Sequence, residues 1–230
     1  PIFVSTALAD STGAGRGRYV FRDDEGRILA EHPASLKTSR PTVRVEFEGR
    51  TMNHGIPAGC VAEPGAVAVG PELLALDPAQ GMVEAIALDG ERAVRHRVER
   101  REPVTDDAGN AVQMMLERRF TIPGREAPDR VRREAIDQLR ALMGDTLPAW
   151  QDVVVDASGA LWMEVAKCPR ATGATTYRVL DLEDGSTGSV LVPDGVTVLA
   201  VRGRDVLVRR LGDLGVPHVE MYSLVMASSP

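Results

Sequence analysis

The chain has 230 residues, which is enough for one large all-β domain or two small ones with a core of ordinary size. Hydrophobic residues make up 43% and charged residues 26%, as in soluble globular proteins, and no apolar run is long enough to span a bilayer. The formal net charge of −6 disfavours a phosphate-binding surface, so we expect no nucleic-acid partner.

The first strand signals are short apolar runs joined by turn residues. Tyr19–Phe21 and Arg27–Leu29 flank a run of Asp, Glu and Gly, which predicts a hairpin because these residues tolerate the backbone angles of tight turns. Apolar and charged residues alternate from Thr42 to Glu48, which predicts a strand with one buried face.

A second group of strand signals begins near Ala66. Two runs, Ala66–Val69 and Leu73–Leu76, end at a Gly-Pro and an Asp-Pro pair. Met82–Leu88 and Arg92–Val98 then predict a hairpin around Asp-Gly-Glu.

A third and a fourth group follow in the C-terminal part of the chain. The third contains four runs separated by Asp- and Gly-rich turns: Val153–Val155, Leu161–Met163, Tyr177–Leu180 and Val190–Val192. The fourth contains three: Val196–Val201, Val206–Val208 and Val219–Tyr222. Groups of three or four short strands are typical of β-propeller blades, and in a closed propeller a missing last strand often comes from the other end of the chain.

Residues 101–150 interrupt the strands and contain a predicted helix from Pro128 to Met143. Apolar residues recur on one face of it, at Val131, Ala135, Leu139 and Leu142. Arginines occupy much of the other face, at Arg130, Arg132, Arg133 and Arg140. We interpret the segment as an inserted excursion whose amphipathic helix packs on a sheet. Its arginines are either a solvated face or a docking element for a partner.

Three stretches carry a resemblance to a known family: D-V-V-V-D-A-S-G-A-L-W-M-E-V, then T-Y-R-V-L-D-L-E-D-G-S-T-G-S-V-L-V-P, then D-V-L-V-R-R-L-G-D-L-G-V-P-H-V-E-M-Y-S-L. Together they resemble the C-terminal end of bacterial six-bladed β-propellers of the NHL and TolB-like kind. The turn D-x-x-G-x-L-W from Asp156 to Trp162 is the most specific element. The resemblance implies a propeller architecture and frequent export from the cytoplasm, and it implies no catalytic residues.

The expected fold class is therefore all-β, as a partial propeller of about four blades with one inserted amphipathic helix. Residues 1–56 form N-terminal strands of uncertain assignment, and residues 57–230 form the propeller-like part, with the helical insertion at about 101–150. Six blades would need about 250 to 300 residues, so this chain is too short for them. Since it begins at Pro1 rather than Met and shows no export signal, we expect a processed or incomplete N-terminus.

The two cysteines, Cys60 and Cys168, are 108 positions apart and do not fit a zinc motif. The favoured interpretation is two buried thiols. The alternative is one disulfide that joins distant strands, which would imply an oxidising compartment.

The remaining polar residues have no spacing that specifies a catalytic or metal site. The four histidines lie in separate segments: His32, His54, His96 and His218. The glycine-rich run Ser11–Gly17 lacks the Lys-Ser/Thr end of a phosphate-binding loop, so we expect a flexible loop. Six carboxylates lie in predicted turns, where aspartate is favoured for its bonds to the backbone: Asp23, Asp24, Asp106, Asp107, Asp156 and Asp184.

The sequence thus predicts a non-catalytic binding or scaffolding protein, with no cofactor, no metal and no transmembrane segment of its own. We expect its partner to be another protein, in a role such as peripheral subunit of a membrane-bound complex, and its location to be the periplasm. The candidate partner-binding residues are Arg130, Arg132, Arg133 and Arg140. The alternatives are a propeller-type hydrolase or lactonase with a metal in the central channel, and a ligand-sensing module.

Overall fold

The chain folds into two compact units, Pro1–Gln151 with Ala166–Ala171, and Asp152–Val165 with Thr172–Pro230. The computed structural model describes residues 3–7, 18–33, 42–47, 49–56, 59–70, 72–98, 102–105, 110, 114, 121–122, 125–126, 128–168, 173–212 and 214–225. Within these ranges no helix has the length and apolar character needed to cross a membrane.

The described residues form four sheets of three or four strands, and in each of them the strands pair antiparallel in chain order. The first has β1 (Phe3–Ala7), β2 (Arg18–Arg22) and β3 (Ile28–Pro33). The next has β6 (Gly65–Val69), β7 (Glu72–Asp77), β8 (Met82–Ile86) and β9 (Arg92–Arg97). The third has β12 (Asp152–Val155), β13 (Leu161–Glu164), β14 (Thr175–Leu180) and β15 (Thr187–Val192), and the last has β16 (Val196–Arg202), β17 (Asp205–Leu211) and β18 (Pro217–Ser223).

Two further hairpins complete the strand order: β4 (Thr42–Phe47) with β5 (Arg50–Gly55), and β10 (Thr121–Ile122) with β11 (Arg125–Glu126). The expected all-β, propeller-like fold class with an inserted helix is confirmed. Strands β1, β5, β10 and β11 were not predicted from the sequence. The division at residues 56 and 57 stays a prediction.

The first and second multi-stranded sheets pack face to face within the first unit. Tyr19 and Phe21 of β2 form a buried cluster with Leu73 of β7 and Ile86 of β8. Val20 and Leu74 are buried as well, although successive side chains of a strand point to opposite faces, so β2 and β7 are buried on both faces.

The inserted helix α1 (Asp129–Met143) packs on the β4–β5 hairpin instead of on a larger sheet. Its buried residues are Val131, Ala135, Leu139 and Met143, and they share a core with Val43 and Val45 of β4. Leu142, predicted to be on this face, is 39% exposed. The four-residue spacing from Val131 to Leu139 continues to Met143, so the helix turns Leu142 toward solvent.

A disulfide joins Cys60 to Cys168, so the favoured interpretation of two free thiols is wrong. Both residues are buried in the core beneath α1, with their Cα atoms 4.7 Å apart, which lies within bridging distance. Gly59 adopts a φ of 87°, and a Cβ added there would lie 2.6 Å from the Lys167 carbonyl. The bridge therefore depends on a close backbone approach that glycine permits.

The two sheets of the second unit also pack face to face. Trp162 and Tyr177 contribute to a core with Val196, Val198 and other valines of β16 and β17. Trp162 therefore packs in the core that these two sheets share.

The last sheet has three strands, and among the described residues no fourth strand joins it. Strand β1, at the N-terminal end of the chain, is paired with β2.

Candidate partner-binding surface on helix α1

Helix α1 is attached to β4 by a glutamine whose side chain makes the hydrogen bonds that a neighbouring strand would otherwise make. The Gln138 side-chain oxygen accepts the Arg44 N–H at 2.9 Å, and its amide nitrogen donates to the Arg44 carbonyl at 2.7 Å. A residue at the open edge of a two-stranded sheet thereby has both backbone groups satisfied. The apolar contacts and this pair of hydrogen bonds together determine which face of the helix is exposed to solvent.

Three of the four predicted arginines lie on the outward face. Arg130, Arg133 and Arg140 are exposed, whereas Arg132 lies at the margin of the buried face with its side chain 32% exposed. Arg132 donates to the Asp129 carboxylate at 2.6 Å, and the Arg133 Nε donates to the Asp129 carbonyl at 3.4 Å. Arg132 is thus bonded to its own helix. The partner-binding role of all four arginines stays a prediction.

Acidic residues share the exposed face with these arginines. Glu134 and Asp137 are both exposed and lie between Arg133 and Arg140 along the helix. The exposed face therefore carries charges of both signs, with Glu134 and Asp137 between two arginines on one side and Arg140 on the other.

A cavity of about 400 Å³ opens at the C-terminal end of α1. The residues that line it are Val104, Thr105, Asn110, Arg140, Met143, Gly144 and Asp145. Two of the lining segments are joined by a hydrogen bond, because the Val104 N–H donates to the Asp145 carbonyl at 3.0 Å. The Arg140 guanidinium could bind a carboxylate of a partner in two-point fashion at this cavity.

Among the described side chains, the histidines take part in no group that could hold a metal ion. His32 is hydrogen-bonded to the Leu88 carbonyl at 2.9 Å, His96 is half-buried and His218 is exposed. The side chain of His54 lies outside the described residues. In the described part of the chain, no three His, Cys, Asp or Glu residues are grouped so that they could hold a metal ion.

Asp156 organises the turn of the D-x-x-G-x-L-W motif. Its carboxylate accepts the Ser158 N–H at 2.8 Å, the Ala160 N–H at 3.0 Å and the Trp162 indole N–H at 3.2 Å. Burial alone would raise the pKa of this carboxyl, but the hydrogen bonds from Ser158 and Trp162 outweigh it and the pKa is lowered. These hydrogen bonds explain the Asp, the Gly-containing turn and the Trp of the motif as parts of the hairpin structure.

Two other predicted turn carboxylates behave in the same way. Asp23 accepts bonds from Arg27, and Asp184 accepts the Ser186 N–H, and these bonds lower both pKa values. The interpretation of these aspartates as turn residues is confirmed. The carboxylates Asp106 and Asp107 and the loop Ser11–Gly17 lie outside the described residues.

A buried acid was missed by the sequence analysis. Glu164 is only 2% exposed, and the Tyr177 hydroxyl donates to its carboxylate at 3.3 Å. That hydroxyl also accepts the Val198 N–H at 3.4 Å. Burial and the Glu164 charge raise the pKa of Tyr177, so the phenol stays protonated. Both side chains are buried, and the pair's only sequence signal was a charged residue at the end of an apolar strand.

No protein-family model matches the chain, and the comparison with curated proteins found no match. Similar solved structures include a virginiamycin B lyase from Staphylococcus aureus, with 10% identity over 99% of this chain and 90% of that one and a TM-score of 0.25. A catalytically inactive form from the same organism, with quinupristin, has 11% identity over 97% and 89% and a TM-score of 0.24. A streptogramin B lyase has 9% identity over 98% and 88% and a TM-score of 0.25. Similarity this low carries no argument about site residues.

Proposed function

We propose that the chain is a non-catalytic binding or scaffolding protein of propeller-like fold, and that it docks on a membrane-bound protein assembly outside the cytoplasm. The observation that carries the proposal is the anchoring of α1. Its apolar face and Gln138 are committed to the β4–β5 hairpin, so Arg130, Arg133 and Arg140 are held toward solvent on a rigid element.

A rigid helix face favours protein recognition. Long arginine side chains lose conformational entropy on binding. Because the backbone of the helix is already ordered, no further entropy is lost in ordering it. Arginine also offers planar donors that suit carboxylates at protein interfaces. The mixed charges along α1 supply specificity for one partner.

The disulfide between Cys60 and Cys168 supports the proposed location. Such bonds persist in oxidising compartments and are rare in the cytoplasm. We accordingly propose the periplasm, with the protein attached to the membrane through its partner. The relation to NHL and TolB-like propellers, with residues 57–230 as the propeller-like part, belongs to the same proposal.

Affinity capture from detergent-solubilised membranes of the source organism tests the proposal. The tagged chain is compared with a variant in which Arg130→Glu, Arg133→Glu and Arg140→Glu are combined. We expect the wild type to retain a discrete assembly of fixed stoichiometry. The variant should lose it, because three favourable charge contacts become repulsive.

A matched control distinguishes the loss of this particular surface from the effect of a changed net charge. The combined changes Arg202→Glu, Arg204→Glu and Arg210→Glu alter the net charge equally on exposed positions of the last sheet. This control should capture the assembly as the wild type does. Equal capture by all three proteins, or capture by none, would contradict the docking role of α1.

The hydrolase or lactonase alternative makes a different prediction. A channel metal would appear as a stoichiometric ion in metal analysis of the purified protein, and its removal by chelation would abolish hydrolysis of an ester or lactone substrate. We expect neither a stoichiometric metal nor a chelator-sensitive hydrolysis.

A further inference from the structure

The last sheet ends in an open strand. β16, β17 and β18 pair in chain order, so β18 is the third strand, and among the described residues nothing pairs with its outer edge. In both four-stranded sheets the third strand, β8 or β14, is covered by a fourth. β18 therefore lacks a neighbour that its counterparts have.

The register of the hairpin shows which backbone groups face that edge. The Leu224 N–H donates to the Arg204 carbonyl at 2.8 Å, and the β17–β18 pairing continues from there without a shift. Hydrogen-bonded pairs alternate in an antiparallel ladder, so the even-numbered residues of β18 bond to β17. The N–H and C=O groups of Val219 and Met221 consequently face outward.

The side chains of β18 do little to protect this edge. Natural edge strands are usually blocked by lysine, internal proline or a bulge, but Pro217–Ser223 has no lysine or bulge and its proline is the first residue. Val219 and Met221 are 63% and 64% exposed. Two polar residues, His218 and Glu220, alternate with them.

We propose that β18 pairs antiparallel with β18 of a second copy of this chain, so that each strand becomes the fourth strand of the other's sheet. A register centred on Val219 places His218 opposite Glu220 on both sides of the two-fold axis. A register centred on Glu220 would place two carboxylates opposite each other, which destabilises the pair. The charge pattern of the strand thus favours the register centred on Val219 over the register centred on Glu220.

Analytical ultracentrifugation of the full chain over a range of concentrations tests the proposal. We expect a species of twice the 24.7 kDa chain mass that dissociates on dilution. Val219→Pro removes an N–H that β17 does not use, so the fold should persist while the dissociation constant rises about tenfold or more. Met221→Lys, which places a charge at the same edge, should have a similar effect.

Two controls define the surface and the register. Leu191→Lys alters an exposed apolar residue of the edge strand β15 and should leave the dimer unchanged. His218→Glu should weaken the dimer, and adding Glu220→His to it should restore the dimer, because the exchange re-forms the opposite pair.

A chain that stays monomeric at every concentration overturns the proposal. So does a dimer that withstands both Val219→Pro and Met221→Lys. A dimer that these changes weaken, but that the exchange of His218 and Glu220 does not restore, overturns the register.

Discussion

The side chain of Gln138 bonds both the N–H and the C=O of Arg44, at 2.9 and 2.7 Å, and so occupies the place of a missing strand at the edge of β4. Helix α1 is thereby joined to the sheet by polar contacts of defined geometry as well as by apolar packing. These two hydrogen bonds help to fix the orientation of the helix face that carries the arginines.

Gln138→Leu should destabilise the first unit by about 1–3 kcal/mol, because it leaves both backbone groups of Arg44 without their side-chain partner. Gln138→Glu is the matched comparison. Glutamate can accept the Arg44 N–H but repels the Arg44 carbonyl, so it should not restore the wild-type free energy of unfolding. Urea unfolding followed by circular dichroism measures both, and a Leu variant as stable as wild type would contradict the role of Gln138.

Loss of the disulfide should also destabilise the chain. Replacing Cys60 and Cys168 by serine should lower the free energy of unfolding by about 2–5 kcal/mol, because the bridge closes a loop across 108 positions of the unfolded chain. Reductant should lower the stability of the wild type by a similar amount and leave the double-serine variant unaffected. Two reactive thiols in the denatured, unreduced protein would show that the bridge is absent.

The lowered pKa of Asp156 predicts a pH dependence. Because the folded value lies below the usual 3.8, ionised Asp156 contributes stability above that pH, and the contribution is lost as the pH falls through the folded pKa. Asp156→Asn removes this titration. The stability advantage of the wild type over Asp156→Asn should therefore be full at about pH 6 and shrink below about pH 4. A constant difference measured by urea unfolding across this range would refute the assignment.

The buried pair of Tyr177 and Glu164 predicts a core defect on loss of the hydroxyl. Tyr177→Phe should cost about 1–3 kcal/mol, because Glu164 loses a donor and the Val198 N–H loses an acceptor. Tyr222→Phe provides a comparison at a half-buried position of the same core, and it should cost less. Thermal unfolding measures the loss of stability in both variants. An equal loss in Tyr177→Phe and Tyr222→Phe would contradict a special role for the buried pair.

Ionisation of Tyr177 adds an alkaline signature. Its pKa is raised in the folded state, so its contribution to stability is full below the usual value of 10.0 and is lost as the pH rises toward the folded value. As the pH rises above 10, the free energy of unfolding should accordingly fall less in Tyr177→Phe than in the wild type, as measured by urea unfolding.

Most strands could be predicted from the sequence because their signals are local. Val43 and Val45 alternate with charged residues, and turns such as Asp156–Gly159 hold hairpins through bonds to near neighbours. The helix was also predictable from its period, although the choice between Leu142 and Met143 at its last turn depended on where the sheet lies.

Features that depend on distant contacts were not predictable. β5 (Arg50–Gly55) is polar, and its strand conformation comes from pairing with β4. The bond between Cys60 and Cys168 requires a fold that brings two distant segments together, and sequence spacing does not encode that approach. The burial of Glu164 likewise depends on Tyr177 from the next strand.

Hydrogen–deuterium exchange of the captured complex tests the central claim most directly, which is that α1 is the docking surface. We predict that binding slows amide exchange in the helix Asp129–Met143 and in the facing strand β4, and leaves the outer strands β9 and β15 unchanged. Unchanged exchange in the helix, with slowing elsewhere in the chain, would contradict the claim.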